Sequence, residues 1–285
     1  MSDIIQTCIK LLDEADALLI GAGAGLTAAA GISYTDTAKF AELFPAWVKK
    51  GFSMQYQLMG YTGWSESEQW GYYTVHLNYV YFQQTTNPLY QKFREIIGEK
   101  DYFVMTSNVD ELFHKNGFER ERIYSPQGSY GKIQCTVPCS DDSLWDIKPY
   151  FEKMRQALHP IEQYITDLNC IPKCPNCGES MFINARVDNS FIETPYHVEH
   201  ERFITWINQS GHKQLVLLEL GAGYNTPVVI RFPMEGLATH IKNSSFIRVN
   251  MEYAQVPDAL KHKSVSVKGD IQAFIEGVTA YRAIT

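Results

Sequence analysis

The chain has 285 residues, enough for one large domain or two modest ones. With 45% hydrophobic and 20% charged residues, it is not predominantly disordered. Its 25 basic and 32 acidic side chains argue against a nucleic-acid partner, because phosphate contacts need clustered Lys and Arg. We see neither a membrane-spanning apolar run nor a basic secretory leader, so we expect a cytoplasmic protein with no membrane partner.

Short apolar runs alternate with helical patterns along the chain. A helical repeat at residues 5–12 precedes a run at 17–20, and further runs lie at 102–106, 214–220, 246–250 and 265–267. Helical patterns lie between and after them, at 87–97 and 271–281. Such continuous runs are typical of strands buried on both faces of a parallel sheet. The alternation predicts an α/β fold with a Rossmann-like, doubly wound parallel sheet.

Two stretches interrupt this alternation. Residues 40–84 are rich in aromatics and predict helical hairpins over a cleft, although most of these aromatics could equally be ordinary core residues. Residues 131–211 contain every cysteine except Cys8, and a helical pattern at 150–168 that Pro160 should break. We therefore predict a main domain of residues 1–130 and 212–285, carrying the aromatic insertion, with a small module inserted at 131–211.

The cysteines of this module form two close pairs, Cys135 with Cys139 and Cys174 with Cys177. Four thiolates in two such pairs can hold one tetrahedral zinc, which predicts a zinc ribbon with a structural metal. The segment between the pairs is longer than the ~15–20 residues of common four-cysteine sites, and a helical hairpin could absorb the excess. The alternative is a ribbon that has lost its metal and keeps reduced thiols. We expect Cys170 to lie outside the site.

The glycine-rich sequence at 21–25 follows the first strand directly. Glycines there allow a tight turn and close approach of a pyrophosphate, whose charge a helix N-terminus can meet. The alternative is a tight turn with no ligand. We expect Gly25→Trp to abolish nucleotide binding while leaving the fold intact. The acidic residue that dehydrogenases place ~20 residues further on is missing from its expected setting, which argues against a standard dehydrogenase.

Several segments resemble, in order, the motifs of the sirtuin family. They are Gly23-Ala24-Gly25-Leu26-Thr27, Thr106-Ser107-Asn108-Val109-Asp110, Gln127-Gly128-Ser129, the two cysteine pairs, Gly221-Ala222-Gly223, Val249-Asn250 and Gly269-Asp270. The resemblance covers nearly the whole chain and implies NAD as cofactor. It implies cofactor contacts from Gly23, Ala24, Gly25, Thr27, Ser107, Asn108, Asp110, Gln127, Gly221, Ala222, Gly223, Asn250, Asp270 and Ile271.

The chain also departs from the sirtuin deacylases. Residues 32–36 read Ile-Ser-Tyr-Thr-Asp instead of Ile-Pro-Asp-Phe-Arg, and residues 181–189 lack the usual substrate strip. Gln127 stands where deacylases have their catalytic histidine. This set of departures is similar to the class M sirtuins, microbial members that act as protein ADP-ribosyltransferases.

The change at position 127 has a direct chemical consequence. A histidine can remove a ribose hydroxyl proton because its pKa lies near operating pH, whereas a glutamine amide forms hydrogen bonds but cannot take that proton. Gln127 should therefore preserve NAD binding and disable deacylation, leaving transfer to a protein or to water. The alternative is that His114, His197 or His200 supplies the base.

The other candidate catalytic residues are Asn108, Asp110 and Arg186. Asn108 would bind ribose or position a water, and by resemblance Asp110 would hold the nicotinamide carboxamide, although Asn-x-Asp after a strand is equally typical of a helix N-cap. Arg186 would orient the acceptor or NAD, or is simply solvated. Asn250 would contact the adenosine ribose, whereas Asp270 could be only an N-cap.

The leading expectation is an NAD-dependent protein mono-ADP-ribosyltransferase that releases nicotinamide. The alternatives are an NAD-dependent protein deacylase and an NAD-binding sensor with little turnover. The class M resemblance further implies a lipoylated glycine-cleavage H-like protein as acceptor and a macrodomain ADP-ribosylhydrolase as functional partner.

Overall fold

The computed structural model describes residues 2–283 and divides them into two compact units. The first unit contains the segment that ends at Gly31, the segment Thr86–Gln127 and the segment that begins at Tyr196. The second unit contains Ile32–Thr85 and Gly128–Pro195. No helix within the described residues is both long and apolar enough to cross a membrane.

The helices and strands are as follows. The α-helices are α1 (Ser2–Glu14), α2 (Ala24–Ala29), α3 (Thr37–Leu43), α4 (Pro45–Lys49), α5 (Glu66–Leu77), α6 (Pro88–Ile97), α7 (Leu112–Lys115), α8 (Lys148–Gln156), α9 (His197–Ser210), α10 (Arg231–His240) and α11 (Ile271–Arg282). The strands are β1 (Ala17–Ala22), β2 (Asp101–Thr106), β3 (Ile123–Tyr124), β4 (Gly128–Cys135), β5 (Trp145–Asp146), β6 (Met181–Ala185), β7 (Leu215–Leu220), β8 (Ser244–Asn250) and β9 (Ser264–Lys268).

The first unit is built on a parallel sheet with the strand order β3-β2-β1-β7-β8-β9. Strand β1 pairs in register with both neighbours, so that Ala17 lies opposite Asp101 and Leu215. Strands β1 and β7 are buried along their whole length, as expected for apolar runs covered on both faces. The predicted fold class and its five apolar strands are confirmed, and β3 is the strand that the sequence analysis missed.

Helices α9 and α10 pack on one face of this sheet. Phe203 and Trp206 of α9 and Met234 and Ala238 of α10 join a buried cluster with strand residues such as Leu217. Helix α11 packs against both α6 and α1 elsewhere in this unit. We predicted that residues 197–210 belong to the small module, but the aromatic side chains of α9 belong to the core of the sheet.

The second unit combines a small antiparallel sheet, ordered β5-β4-β6, with the aromatic helices. Phe82 stacks on Phe151 of α8 with ring centroids 3.8 Å apart, and Tyr73 of α5 meets Phe182 of β6 at 4.9 Å. Six of the thirteen aromatics in residues 40–84 are buried, and of the others only Tyr56 is exposed; the buried ones are Phe40, Phe44, Trp47, Trp70, Tyr72 and Tyr73. The predicted boundaries assigned the insertion to the main domain; the structure groups it with the cysteine-bearing segment instead.

The helix predicted at 150–168 is wrong in its second half. Helix α8 ends at Gln156, and the chain then turns back so that Leu158 pairs with Ile165 in an isolated antiparallel bridge. Gln163 has φ 52, a left-handed conformation that is incompatible with a continuing helix. The break comes before Pro160, which lies within this turn.

Candidate functional site

The candidate nucleotide site lies at the carboxyl edge of the parallel sheet. In the strand order β3-β2-β1-β7-β8-β9, strands β2 and β3 lie on one side of β1, and the later strands β7, β8 and β9 lie on its other side. The direction in which strands are added therefore reverses between β1 and β7, which makes this position a switch point. Ligands of open α/β sheets bind outside the carboxyl ends of the strands at such a point. The glycine-rich turns predicted from sequence follow these two strands.

The two glycine turns contact each other through their backbones. The Gly25 N–H donates to the Gly221 carbonyl at 3.1 Å, and the Gly23 N–H donates to the Leu220 carbonyl at 2.9 Å. A Cβ on Gly25 would lie 2.7 Å from the Gly221 Cα, and a Cβ on Gly23 would lie 2.7 Å from the Ala222 Cα. Glycine is needed here so that one turn can approach the other. The expectation that Gly25→Trp leaves the fold intact is therefore wrong.

Hydrogen bonds attach the loop that follows β2 to the end of β1 and to the first glycine turn. The Asn108 side chain donates to the Gly23 carbonyl at 3.0 Å, and the Ser107 N–H donates to the Ala22 carbonyl at 3.0 Å. Asp110 is 3% exposed and accepts the Thr27 hydroxyl of α2 at 2.6 Å. Burial raises the pKa of the Asp110 carboxyl, and the hydrogen bonds that it accepts from Thr27 and Leu112 partly offset this increase.

Asp110 also acts locally at the start of α7, although the N-cap residue of that helix is Glu111 and not Asp110, as the alternative interpretation required. Its second carboxylate oxygen accepts the Leu112 N–H, at the start of α7, at 2.9 Å. Glu111 between them has φ 59, a left-handed conformation that non-glycine residues adopt rarely. The carboxylate therefore fixes both the start of α7 and the Thr27 side chain of α2.

The loops that follow β8 and β9 lie at the same carboxyl edge of the sheet. The Asn250 side chain donates to the Ala222 carbonyl at 2.9 Å and accepts the N–H groups of Glu252 and Tyr253. Asp270 accepts the Gln272 N–H at 3.0 Å, which confirms the N-cap interpretation of this residue. Ile271 is buried in the first turn of α11.

Gln127 is the last residue of the first unit and is partly exposed. Two residues before it, the Ser125 N–H donates to the Glu199 carboxylate of α9 at 2.9 Å. Burial raises the pKa of Glu199. The sequence analysis missed Glu199, although an acid in the first turn of a helix was a visible signal.

The three histidines considered as alternative bases lie in different surroundings. Burial lowers the pKa of His114 to about 4, and its Nδ1 has no hydrogen-bond partner among residues 2–283. His197 and His200 are exposed at the start of α9, where the ring of His200 lies 5.3 Å from that of Tyr124. At neutral pH His114 is therefore uncharged.

Arg186 follows β6 in the second unit. Its guanidinium pairs with the Glu193 carboxylate and lies 4.3 Å from the centroid of the Phe191 ring. The side chain is 38% exposed, so it is neither fully solvated nor buried. Its charge is already engaged by these two neighbours.

The four predicted cysteine ligands meet in the second unit. Their sulfur atoms all lie within 4.8 Å of one another, and the pairs Cys135–Cys177 and Cys139–Cys174 are each 3.6 Å apart. Tetrahedral zinc with Zn–S bonds of about 2.3 Å needs sulfur atoms about 3.8 Å apart. The donor set therefore fits zinc, and Cys170 is not part of it.

Comparisons with solved structures identify the fold. The chain matches a solved Sir2 enzyme with a TM-score of 0.61 and 16% identity over 100% of both chains. It matches a Sir2–p53 peptide–NAD+ complex with a TM-score of 0.54 and 14% identity over 99% of both chains. The chain therefore has the sirtuin fold.

Comparisons with curated proteins identify its relatives in sequence. A probable bifunctional ADP-ribose hydrolase/ADP-ribosyltransferase of Fusarium oxysporum f. sp. cubense is 37% identical over 91% of this chain, which spans 45% of that protein. A protein ADP-ribosyltransferase of Staphylococcus aureus is 25% identical over 96% of this chain and 85% of its own length. No family model matches the chain.

Proposed function

We propose that this chain is an NAD-dependent protein mono-ADP-ribosyltransferase. The observation that carries the proposal is Gln127, which stands where sirtuin deacylases have their catalytic histidine. The names of the two curated relatives support the same reaction. When bound, NAD supplies the ADP-ribosyl group: nicotinamide leaves with the electrons of its ribose bond, and an acceptor nucleophile bonds to the same carbon.

The sheet edge supplies the binding groups for this reaction. We propose that the glycine turns after β1 and β7 accommodate the pyrophosphate, because the switch point lies between these strands. Asn108, held by the Gly23 carbonyl, would present its amide to ribose or a water. Asp110 accepts the Thr27 hydroxyl and would thereby keep α2 in place beside the bound cofactor.

Gln127 would orient the ribose without acting as a base. Its amide can donate and accept hydrogen bonds but does not titrate at physiological pH. The hydrogen bond from Ser125 to Glu199 would fix the backbone that carries it. Arg186 would orient the acceptor in the second unit. Transfer therefore needs an acceptor that is already nucleophilic or that loses its proton to another group.

The four clustered cysteines would hold a structural zinc in the second unit. Their sulfur atoms surround one point at distances that suit tetrahedral coordination, and no reacting group is assigned to them. Thiols that serve as metal ligands rather than as disulfides fit a reducing compartment, which supports a cytoplasmic location.

For the acceptor we propose a lipoylated glycine-cleavage H-like carrier protein, on the strength of the class M resemblance. A macrodomain ADP-ribosylhydrolase would reverse the modification. The Fusarium relative supports this pairing in part, because its name joins an ADP-ribose hydrolase to an ADP-ribosyltransferase.

A label-transfer experiment tests the function and the acceptor together. The purified protein is incubated with NAD labelled in its adenylate part and with either the lipoylated carrier or its unlipoylated form. We expect label on the lipoylated carrier, one nicotinamide released per label, and little transfer by Asn108→Ala. Label on both carrier forms would reject the lipoyl requirement alone. Tight NAD binding without nicotinamide release would support the sensor function and reject the transferase.

A further inference from the structure

The Glu199 carboxylate lies next to the loop that carries Gln127. Glu199 is in the first turn of α9, and its Oε2 accepts the Ser125 N–H at 2.9 Å. Ser125 directly follows β3, which runs parallel to β2, so this hydrogen bond places the carboxylate at the carboxyl edge of the sheet. Ligands of open α/β sheets bind outside that edge. Gln127 follows two residues later in the same loop.

The loop that follows β2 lies near Glu199 as well. The charge of Glu111 in this loop acts on Glu199, and Glu111 directly follows Asp110 and lies three residues after Asn108. Glu111 adopts φ 59, and such left-handed conformations of non-glycine residues are concentrated in functional sites. Glu199 is therefore near both loops that carry the proposed ribose contacts, Asn108 and Gln127.

The two carboxylate oxygens of Glu199 are not equivalent. Oε2 is held by the Ser125 N–H, whereas Oε1 accepts no hydrogen bond from any residue that the structure describes. Glu199 also forms no ion pair within residues 2–283, and its side chain is partly exposed. An effective general base is held in place by a neighbouring group and keeps an atom available for the proton. Glu199 has both properties, because one oxygen orients the carboxylate and the other is available.

We infer that Oε1 of Glu199 accepts the proton that the acceptor nucleophile loses during transfer. The inference rests on the proposed function, in which Gln127 cannot act as a base. As a lone pair of the acceptor bonds to the ribose carbon, nicotinamide leaves with the electrons of the broken bond, and the proton of the acceptor passes to the carboxylate. The ribose hydroxyls keep their protons, so this step does not restore deacylation. The acceptor class is then a side chain with a proton on its nucleophilic atom, such as a hydroxyl or a thiol.

The surroundings of Glu199 set the pH range in which it can take a proton. Burial raises the pKa of the Glu199 carboxyl. The Ser125 N–H and the charges of Arg202 and Arg120 oppose this rise only in part. The titratable and charged groups around it, from the loop before α7, the turn before β3, β3 itself and α9, are Glu111, Arg120, Tyr124, Tyr196, His200 and Arg202. Transfer should therefore decline as the pH falls through this raised pKa.

A kinetic comparison of three variants tests the inference. Glu199→Gln keeps an oxygen that can accept the Ser125 N–H but cannot take a proton, so it separates proton transfer from positioning of the loop. Glu199→Asp keeps a carboxylate on a shorter side chain. Glu201→Gln is the matched control, because Glu201 is an exposed carboxylate in the same helix. For each protein, kcat and KM for transfer of adenylate label from NAD to the lipoylated carrier are measured from acidic to mildly alkaline pH, together with the Kd for NAD and the Tm.

We expect Glu199→Gln to lower kcat by about a hundredfold, a usual contribution of a general base, and to remove the decline of kcat at acidic pH. Glu199→Asp should retain part of the activity and the decline, and Glu201→Gln should match the wild type. All three should keep the wild-type Kd for NAD. Wild-type kcat and pH profile in Glu199→Gln would overturn the inference and leave the transferase function standing. An equal loss of kcat at every pH with a lowered Tm would also overturn it, because a purely structural role gives that result. A wild-type protein that transfers no label would reject the proposed function together with the inference.

Discussion

Replacing Gly221 with alanine should destabilise the first unit. Gly221 has φ +67, a conformation that L-residues with a Cβ adopt at a cost. Its added Cβ would lie 2.5 Å from the Gly25 Cα and 2.7 Å from the Leu26 nitrogen, and both of these are backbone atoms that cannot rotate away. The two glycine turns would have to separate.

The expected cost is the sum of these two effects. A left-handed backbone conformation costs about 1–2 kcal/mol for a residue with a Cβ. Overpacking against a fixed neighbour costs about 1–3 kcal/mol more. A combined loss of about 3 kcal/mol lowers the Tm of a domain of this size by about 6–12 °C.

Thermal and urea unfolding of Gly221→Ala against Gly223→Ala measures this cost. Gly223 lies in the same loop, but a Cβ there would meet nothing within 4 Å, so its alanine variant controls for the change of residue type. We expect Gly223→Ala to unfold within about 0.5 kcal/mol of the wild type. Equal stability of the two variants would refute the argument that the glycine turns depend on close backbone contact.

Three further predictions concern the metal, a buried histidine and position 127. Chelation or the Cys174→Ser substitution should lower the Tm of the purified protein, because structural zinc stabilises the fold that it joins. The control Cys170→Ser should leave the Tm unchanged. Absence of zinc by elemental analysis would contradict this prediction. Burial lowers the pKa of His76 to about 3, so its stability contribution is complete above pH 6.5 and declines as pH falls. In the wild type, protonation of His76 in the unfolded state should lower the unfolding free energy by about 2 kcal/mol between pH 6.5 and 5. The His76→Phe variant should lack this decrease, and an unchanged pH dependence in urea titrations would count against the prediction. Gln127→Ala should lower kcat for transfer by roughly ten- to hundredfold, and Gln127→His should gain little deacylase activity; robust deacylation by Gln127→His would reject the role of the strip at 181–189.

The parallel sheet could be predicted from sequence because most of its strands are continuous apolar runs. Strand β3, Ile123–Tyr124, could not, because two residues give no periodicity. The strand order depends on which runs pair across large separations in sequence, and the sequence pattern does not encode those pairings. The grouping of the aromatic helices with the cysteine-bearing segment depends on contacts such as Phe82 with Phe151 for the same reason.

The candidate site was only partly visible in the sequence. Its glycines and polar residues directly follow strands, so they could be recognised in the sequence. The sequence did not show that the glycines allow close contact between two loops as well as the approach of a ligand. Glu219 and Arg248 offered a signal that we did not use, because a charged residue in a strand buried on both faces must have a partner.

The most direct measurement of the central claim is the destination of ADP-ribose when both acceptor types compete. Wild-type protein is incubated with adenylate-labelled NAD, the proposed carrier protein and an acyl-lysine peptide in one reaction. We expect label to accumulate on the carrier protein and no O-acyl-ADP-ribose to form, because Gln127 cannot take the ribose proton. Label recovered mainly as O-acyl-ADP-ribose would contradict the transferase function, since another residue would then supply the base.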